Sequence, residues 1–488
     1  MTVDGSTSGL PTLQRLSTAI PGLDDVLGGG LFRGDVYLVA GEPGTGKTTL
    51  GNQVAFAHAA AGGRVLFVTL LTESHDRMLA HLDGFSFVDQ ALVGDRIQYV
   101  SLLGALEEGS LDGVLRTLVE TMRHYTPTLL VIDGTGVAQT FVGSRFDFAH
   151  FIHGLQARTA LLGCTTVLLS SATEAEGSAT HVDGLVRLFN APVRARDARF
   201  LRVTKLRGSR YLDGQHTFTI GNDGIVVSPR LESVQIKGTP EWTASGERAA
   251  FGMARLDAMT LGGVSVGTST LILGTPGAGK TVLGLHFVAE GARHGEPALY
   301  ASFQEPAAAL ASTASGVGLD LQSHLDSGLV QVTWAPPQEM EPDEWVWRLL
   351  ARIDEQGTRR LVIDAFSDLF RLFAIPERKT PFAQALANGL RDRGVTTLLL
   401  MEVDSFASQE LVPPVPNVSA MMDSAILLRT VELRSSLHRL VSILKQRETA
   451  FDPTIREFEI GPHGIMVGSP FHAADLLTGS AVSEPRQP

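Results

Sequence analysis

Two glycine-rich loops carry the most specific chemistry in this chain: GEPGTGKTT at 41–49 and GTPGAGKTV at 274–282. Each fits G-x-x-x-x-G-K-[ST], follows a short apolar run and opens a helix-length segment, the setting in which such a loop wraps a polyphosphate. Gly41, Gly44 and Gly46, like Gly274, Gly277 and Gly279, leave backbone N–H groups open to phosphate oxygens, while Thr45, Thr49, Ala278 and Val282 belong to the same two turns. The helix N-terminus adds partial positive charge. Lys47 and Lys280 are placed to reach the β- and γ-phosphates, and the hydroxyls of Thr48 and Thr281 to ligate Mg2+. The expected ligands are therefore ATP and Mg2+. Lysine is scarce elsewhere: of 40 Lys plus Arg only six are lysine, and four of those (Lys47, Lys205, Lys280, Lys445) lie in repeated motifs. A bulky guanidinium is a poor substitute where a compact ammonium must sit against phosphate.

Further acidic residues stand at the matching places of each copy. Asp133 and Asp364 end apolar strands 86 and 84 residues past the loop lysines, where a metal-side carboxylate belongs, although an Asp there can equally cap a turn. Glu73 and Glu305 follow the second strand, in LLTES and SFQEP. Either could polarise an attacking water, or simply begin the next helix, whose first turn favours acidic residues.

The elements that must hold these residues are written twice. The two loops are 233 residues apart, as are Asp24 and Asp257 ahead of them; VIDG and VIDA around Asp133 and Asp364 are offset by 231. Lys-Leu-Arg at 205–207 and Lys-Gln-Arg at 445–447, with FTIGNDGIVV and FEIGPHGIMV behind them, are offset by 240. This order of landmarks means a duplicated domain. Both copies alternate short β-branched runs with amphipathic helical segments, the pattern of a parallel sheet with crossover helices. The first copy offers VYLVA (36–40), RVLFVTL (64–70), IQYVSL (97–102), TLLVID (128–133) and TTVLLSS (165–171). The second offers TLILG (270–274), ALYASF (298–303), LVQVTW (329–334), RLVID (360–364) and TTLLLM (396–401). Closely spaced strands (GLVRLF, ARFLRVTKL, HTFTI) then predict an antiparallel extension. The expected fold is α/β, two tandem P-loop NTPase domains, each a mainly parallel sheet with crossover helices and a C-terminal antiparallel extension. The boundaries are a flexible N-terminus at 1–12, domains at 13–230 and 250–470, a polar linker at 231–249 and a flexible tail at 471–488.

Composition narrows the class. With 44% hydrophobic and 19% charged residues the 488-residue chain is globular and long enough for two cores. Its opening residues lack a basic segment followed by an apolar run, and no apolar stretch nears the ~20 residues of a membrane span, so a cytoplasmic protein is expected. The net charge of −12 makes nucleic acid an improbable partner. One local basic concentration remains: Arg187, Arg194, Arg196, Arg199, Arg202, Lys205, Arg207 and Arg210. Cys164, the single cysteine, opens an apolar strand and reads as a buried structural thiol.

Over residues 13–468 the sequence resembles the KaiC family of tandem RecA-like ATPases. STAIPGLDDVLGGGLFRGDVYLVAGEPGTGKTT, the acidic residue after the second strand, the VID strands, KLRG and KQR carry the likeness. The resemblance implies a homohexamer with ATP between subunits, Lys205, Arg207, Lys445 and Arg447 reaching the neighbour's γ-phosphate. It also implies a phosphoacceptor at Ser419, where the family's Ser-Thr pair becomes Ser419-Ala420. The clock member's paired glutamates become Thr72-Glu73 and Gln304-Glu305, keeping only the second. An ATP-hydrolysing regulatory protein with a slow serine autokinase activity is thus expected. A RecA-type DNA repair ATPase and a nucleotide-sensing scaffold with little turnover are the competing classes; DNA-stimulated turnover and phosphate release separate them.

Overall fold

The computed structural model describes residues 14–70, 75–108, 111–135, 145–172, 180–193, 196–234, 246–336, 340–403, 422–433, 436–447 and 449–471. The chain divides into two units, Met1–Val234 and Gln235–Pro488.

In the first unit β1 (Arg15–Leu16) pairs antiparallel with β2 (Leu31–Phe32). The main sheet then takes β3 (Val36–Gly41), β4 (Val65–Thr69), β5 (Ile97–Ser101), β6 (Leu129–Asp133), β7 (Thr165–Ser170), β8 (Gly184–Val193), β9 (Arg196–Leu206), β10 (His216–Gly221) and β11 (Gly224–Ser228). Their order is β11-β10-β9-β8-β3-β7-β6-β4-β5. In the second unit β12 (Arg248–Ala249) pairs with β13 (Val264–Ser265). The sheet there is built from β14 (Ser269–Gly274), β15 (Ala298–Ser302), β16 (Val330–Trp334), β17 (Arg360–Asp364), β18 (Thr396–Glu402), β19 (Ser424–Leu433), β20 (Ser436–Gln446), β21 (Arg456–Gly461) and β22 (Gly464–Pro470). Its order, β16-β15-β17-β18-β14-β19-β20-β21-β22, repeats the first.

The parallel strands are apolar at nearly every position because both faces are covered. Along the first sheet, odd positions (Val39, Phe67, Val131, Leu169) pack under the helix Lys47–Ala60 through Leu50 and Val54. Even positions (Leu38, Val68, Ile132, Leu168) pack under the helices Leu111–Tyr125 and Arg145–Leu161 through Leu118, Ile152 and Leu155. Gly51 lets the first helix lie close on the sheet, since a Cβ there would come within 2.8 Å of Leu169. Cys164 is buried just ahead of β7, and desolvation pushes its thiol up to about 12.

One expectation needs correcting. The GLVRLF segment lies in β8, which runs parallel to β3 and extends the parallel sheet; the antiparallel part starts only at the β8–β9 hairpin. β8 also continues four residues beyond GLVRLF, to Val193. The second unit does the same, with β19 parallel to β14 and antiparallel to β20. Of the predicted linker, Leu231–Ser233 forms a 3-10 turn and Arg248–Ala249 is β12, while residues 235–245 lie outside the described residues, as do the predicted N-terminal segment 1–12 and, of the predicted tail 471–488, all but Phe471.

Candidate nucleotide sites

Each glycine-rich loop leaves the C-terminal end of a central strand, β3 or β14, and enters a 14-residue helix, Lys47–Ala60 or Lys280–Arg293. The residue before each helix, Gly46 or Gly279, is left-handed at φ 97° and 98°. A side chain there would be strained and would meet Ile220 at 2.7 Å or Ile460 at 2.8 Å, so the tight turn needs glycine. Thr45 closes the first loop by donating its hydroxyl to the Glu42 carbonyl at 2.8 Å; Ala278 fills that buried place in the second. Gly44 and Gly277 are exposed at the loop crests, Gly41 and Gly274 are buried at the strand ends, and Thr49 and Val282 are half-buried in the first helical turn.

Both lysines arch back over their loops. Lys47 Nζ donates to the carbonyls of Gly41 (2.8 Å) and Glu42 (2.9 Å), and Lys280 Nζ to those of Gly274 and Thr275 (2.9 Å each). Burial pulls the Lys280 ammonium below its usual range, opposed by Glu402 and Asp364. Such a partly desolvated cation gains most from an incoming polyanion.

The next residue of each loop meets the strand-end carboxylate. Thr48 Oγ1 donates to Asp133 Oδ2 at 2.7 Å, and Thr281 Oγ1 to Asp364 Oδ2 at 2.8 Å. Asp133 is 4% exposed, and burial raises the Asp364 carboxyl above the usual carboxylate range. A hydroxyl and a carboxylate converging at the helix start are hard oxygen donors, the set that suits Mg2+. Tyr300 adds its hydroxyl to Asp364 Oδ2 at 2.7 Å.

Glu305 sits three residues past β15, its backbone N–H donating to Ser302 Oγ at 2.9 Å. Burial, then Asp364, raises its carboxyl above the usual range. Neighbouring Gln304 donates to Asp368 Oδ2 at 2.8 Å, and Asp368 is ion-paired with Arg371 at 2.8 Å. Glu73 and Ser419 lie outside the described residues. Strand register bears on the pairing of Glu73 with Glu305: Thr69 faces Asp133 as Ser302 faces Asp364. Glu305 is three residues beyond its strand and Glu73 four.

Lys205 near the end of β9, and Arg207 just after it, lie beside Gly184 and Leu185, which pair with the N-terminal half of β3; Gly41 pairs with Leu188 at the far end. At ~3.3 Å per residue the four-residue separation of Tyr37 and Gly41 is roughly 13 Å along the sheet. Lys445 and Arg447 are set back equally, since Lys445 pairs with Ala425 and Ala425 with Leu271, three residues before Gly274. Lys205 Nζ donates to the Thr180 carbonyl (3.3 Å) and Lys445 Nζ to that of Met422 (2.7 Å). Arg207 pairs with Asp183 at 3.1 Å, and the Arg447 backbone N–H donates to the Asp423 carbonyl at 2.9 Å. Burial, then the nearby arginine, lowers both ammonium groups below their usual range. Each cation pair therefore lies at the opposite end of the sheet from its own loop lysine.

A family model described as ATPase: KaiC matches residues 16–232 and again 250–471, one copy per unit. The chain belongs to the KaiC ATPase family. Among relatives, the circadian clock oscillator protein KaiC of Picosynechococcus sp. is 27% identical, with 96% of this chain and 92% of the relative covered. The circadian clock protein KaiC3 of Synechocystis sp. is 26% identical over 98% and 96%. Within this KaiC framework, sequence reasoning passed over Tyr300, Glu402 and the pair Asn52–Tyr99. Aligning the two copies position by position was the available signal for Tyr300, because Phe67 occupies its place in the first unit.

Proposed function

We propose that both units bind ATP with Mg2+ and hydrolyse it, and that the protein works in the cytoplasm as a homohexamer in a signalling or clock-like role. The observation that carries this reading is the duplicated constellation: in each unit the loop lysine arches over the strand end and the loop threonine bonds the strand-end aspartate at 2.7 or 2.8 Å. The loop N–H groups, with Lys47 or Lys280, hold the phosphates; Thr48 with Asp133, and Thr281 with Asp364, would hold Mg2+, which supplies charge neutralisation when bound. Glu305, and Glu73 in the first unit, orients a water whose oxygen bonds to the γ-phosphorus as the bond to the β,γ-bridging oxygen breaks, and takes up its proton. Lys205, Arg207, Lys445 and Arg447, remote from their own loops, serve the site of a neighbouring subunit. In the second unit Ser419 is the acceptor of a slower transfer, its hydroxyl oxygen replacing water. The kinship with proteins named for the circadian clock supports the regulatory role.

The test is bound-nucleotide stoichiometry. Lys47→Ala and Lys280→Ala should each remove about half of the nucleotide that the wild-type chain carries, since each loop lysine is the main cation of its own cradle. Full retention in both variants would contradict the assignment.

A further inference from the structure

At one register beside the two strand-end aspartates the units carry different buried side chains. Tyr300 is 1% exposed on β15, two residues before the one that faces Asp364 across the sheet. Its hydroxyl donates at 2.7 Å to the same Oδ2 that accepts from Thr281. A carboxylate has no proton to give, so the direction of this bond is fixed by chemistry. At the same register in the first unit stands Phe67, which has nothing to donate to Asp133. That unit's nearby tyrosine is on the next strand: Tyr99 pairs with Phe67 and gives its hydroxyl to Asn52 Oδ1 at 2.8 Å, while Asn52 Nδ2 donates to the Thr48 carbonyl at 2.8 Å. The second unit has Val332 and Leu285 in those two places. Polar partners are thus redistributed between the copies: one unit ties its tyrosine to the helix, the other to the carboxylate.

We infer that Tyr300 is a positioning residue for the divalent cation of the second unit, acting through Asp364. The inference rests on the reading of this unit as a Mg2+–nucleotide site. When Thr281 turns its hydroxyl to the cation, Asp364 Oδ2 loses that donor and Tyr300 remains. A buried carboxylate left without a donor is costly and free to reorient, so the retained bond keeps its oxygens aimed at the cation. Tyr300 itself touches neither cation nor phosphate in this scheme.

Mn2+ binding, read as loss of the free-ion electron paramagnetic resonance signal, tests this without relying on turnover. The full chain carrying Lys47→Ala, saturated with ADP, confines the readout to the second unit. Adding Tyr300→Phe should raise the Mn2+ concentration for half-saturation about tenfold, the scale of a lost hydrogen bond to a charged group. ADP affinity in the presence of EDTA should stay within about twofold, which a general loosening of the fold would not allow. Should Tyr300→Phe melt below the assay temperature, Phe67→Tyr in the Lys280→Ala chain decides, with Mn2+ expected to bind the first unit several-fold more tightly. Mn2+ binding that the hydroxyl changes leave unmoved overturns the role of Tyr300 alone. No Mn2+ binding by the ADP-saturated Lys47→Ala parent overturns the nucleotide-site reading and this inference with it.

Discussion

By the resemblance to the KaiC family Gln304 takes the place of a glutamate, and its contacts decide what that exchange does. Its amide donates to Asp368, whose other oxygen is held by Arg371. Gln304→Glu would set a carboxylate against a carboxylate at 2.8 Å spacing and leave Asp368 Oδ2 without its donor, Arg371 holding only the other oxygen. The second unit should lose roughly 1–3 kcal/mol, the cost of an unsatisfied buried polar group. Gln304→Glu with Asp368→Asn restores a donor and an acceptor in exchanged positions, so the melting temperature should recover. That double variant is also expected to raise phosphate on Ser419, because it carries a carboxylate at position 304 without leaving Asp368 short of a donor. Calorimetry and peptide mass after long incubation with Mg·ATP check both halves; phosphate missing from Ser419 in wild type and double variant alike would remove the acceptor role.

At the scale of elements, repeated landmarks made the sheets legible. The strand ends predicted from β-branched runs lie within one residue of those observed for all ten central strands, because parallel strands buried on both faces are continuous apolar runs. The direction of β8 was not legible: an apolar run records burial, and parallel or antiparallel pairing is set by the crossover before it. The loops, their lysines and the threonine and aspartate of each site were readable from spacing, whereas the Thr–Asp bonds were not, and Tyr300 was hidden because a buried aromatic on a strand looks like core until its hydroxyl finds a partner. Another element-level difference is equally concealed. Where the helix Lys47–Ala60 meets β11, Gln53 Oε1 accepts from the Ile225 N–H at 2.7 Å; where the helix Lys280–Arg293 meets β22, His286 Nε2 accepts from the Ile465 N–H at 3.1 Å. Burial first, then Arg293, lowers His286 to about 4, so the folded second unit holds it neutral. A folded value below the unfolded 6.5 gives stability that is present above pH 6.5 and lost as pH falls toward 4. The loss reaches about 2 kcal/mol by pH 5. His286→Gln, which copies the arrangement of the first unit, should flatten the acid side of this unit's melting-temperature profile; an unchanged slope between pH 7 and 5 would exclude His286 as its cause.

Over the whole molecule, function depends on where each unit keeps its cations. A chain of net charge −12 that is to bind a polyanion in each unit, as proposed above, must concentrate positive groups locally, and among the described residues two such places recur in both units. One is the loop lysine. The other is the Lys-x-Arg pair at the opposite end of the same sheet, set back by three to four strand positions from its own loop. A head-to-tail contact that brings the second group of one subunit to the first group of the next is heterologous, and closes into a ring when the rotation divides a full turn. Native mass with ATP present should therefore show a closed ring, a hexamer if the resemblance to the KaiC family holds for assembly. Arg207→Ala with Arg447→Ala should slow phosphate release by about 10³-fold, the range of an arginine that stabilises transferring phosphate, with nucleotide binding largely kept. Mixing makes the geometry testable. Subunits lacking both arginines, combined one to one with subunits carrying Lys47→Ala and Lys280→Ala, form some interfaces in which an intact loop meets an intact arginine. Random assembly would make about a quarter of all interfaces of that kind, so about a quarter of the wild-type rate should return from two inactive partners. Arginines that served their own subunit's loop would restore nothing, because no single subunit in the mixture holds both.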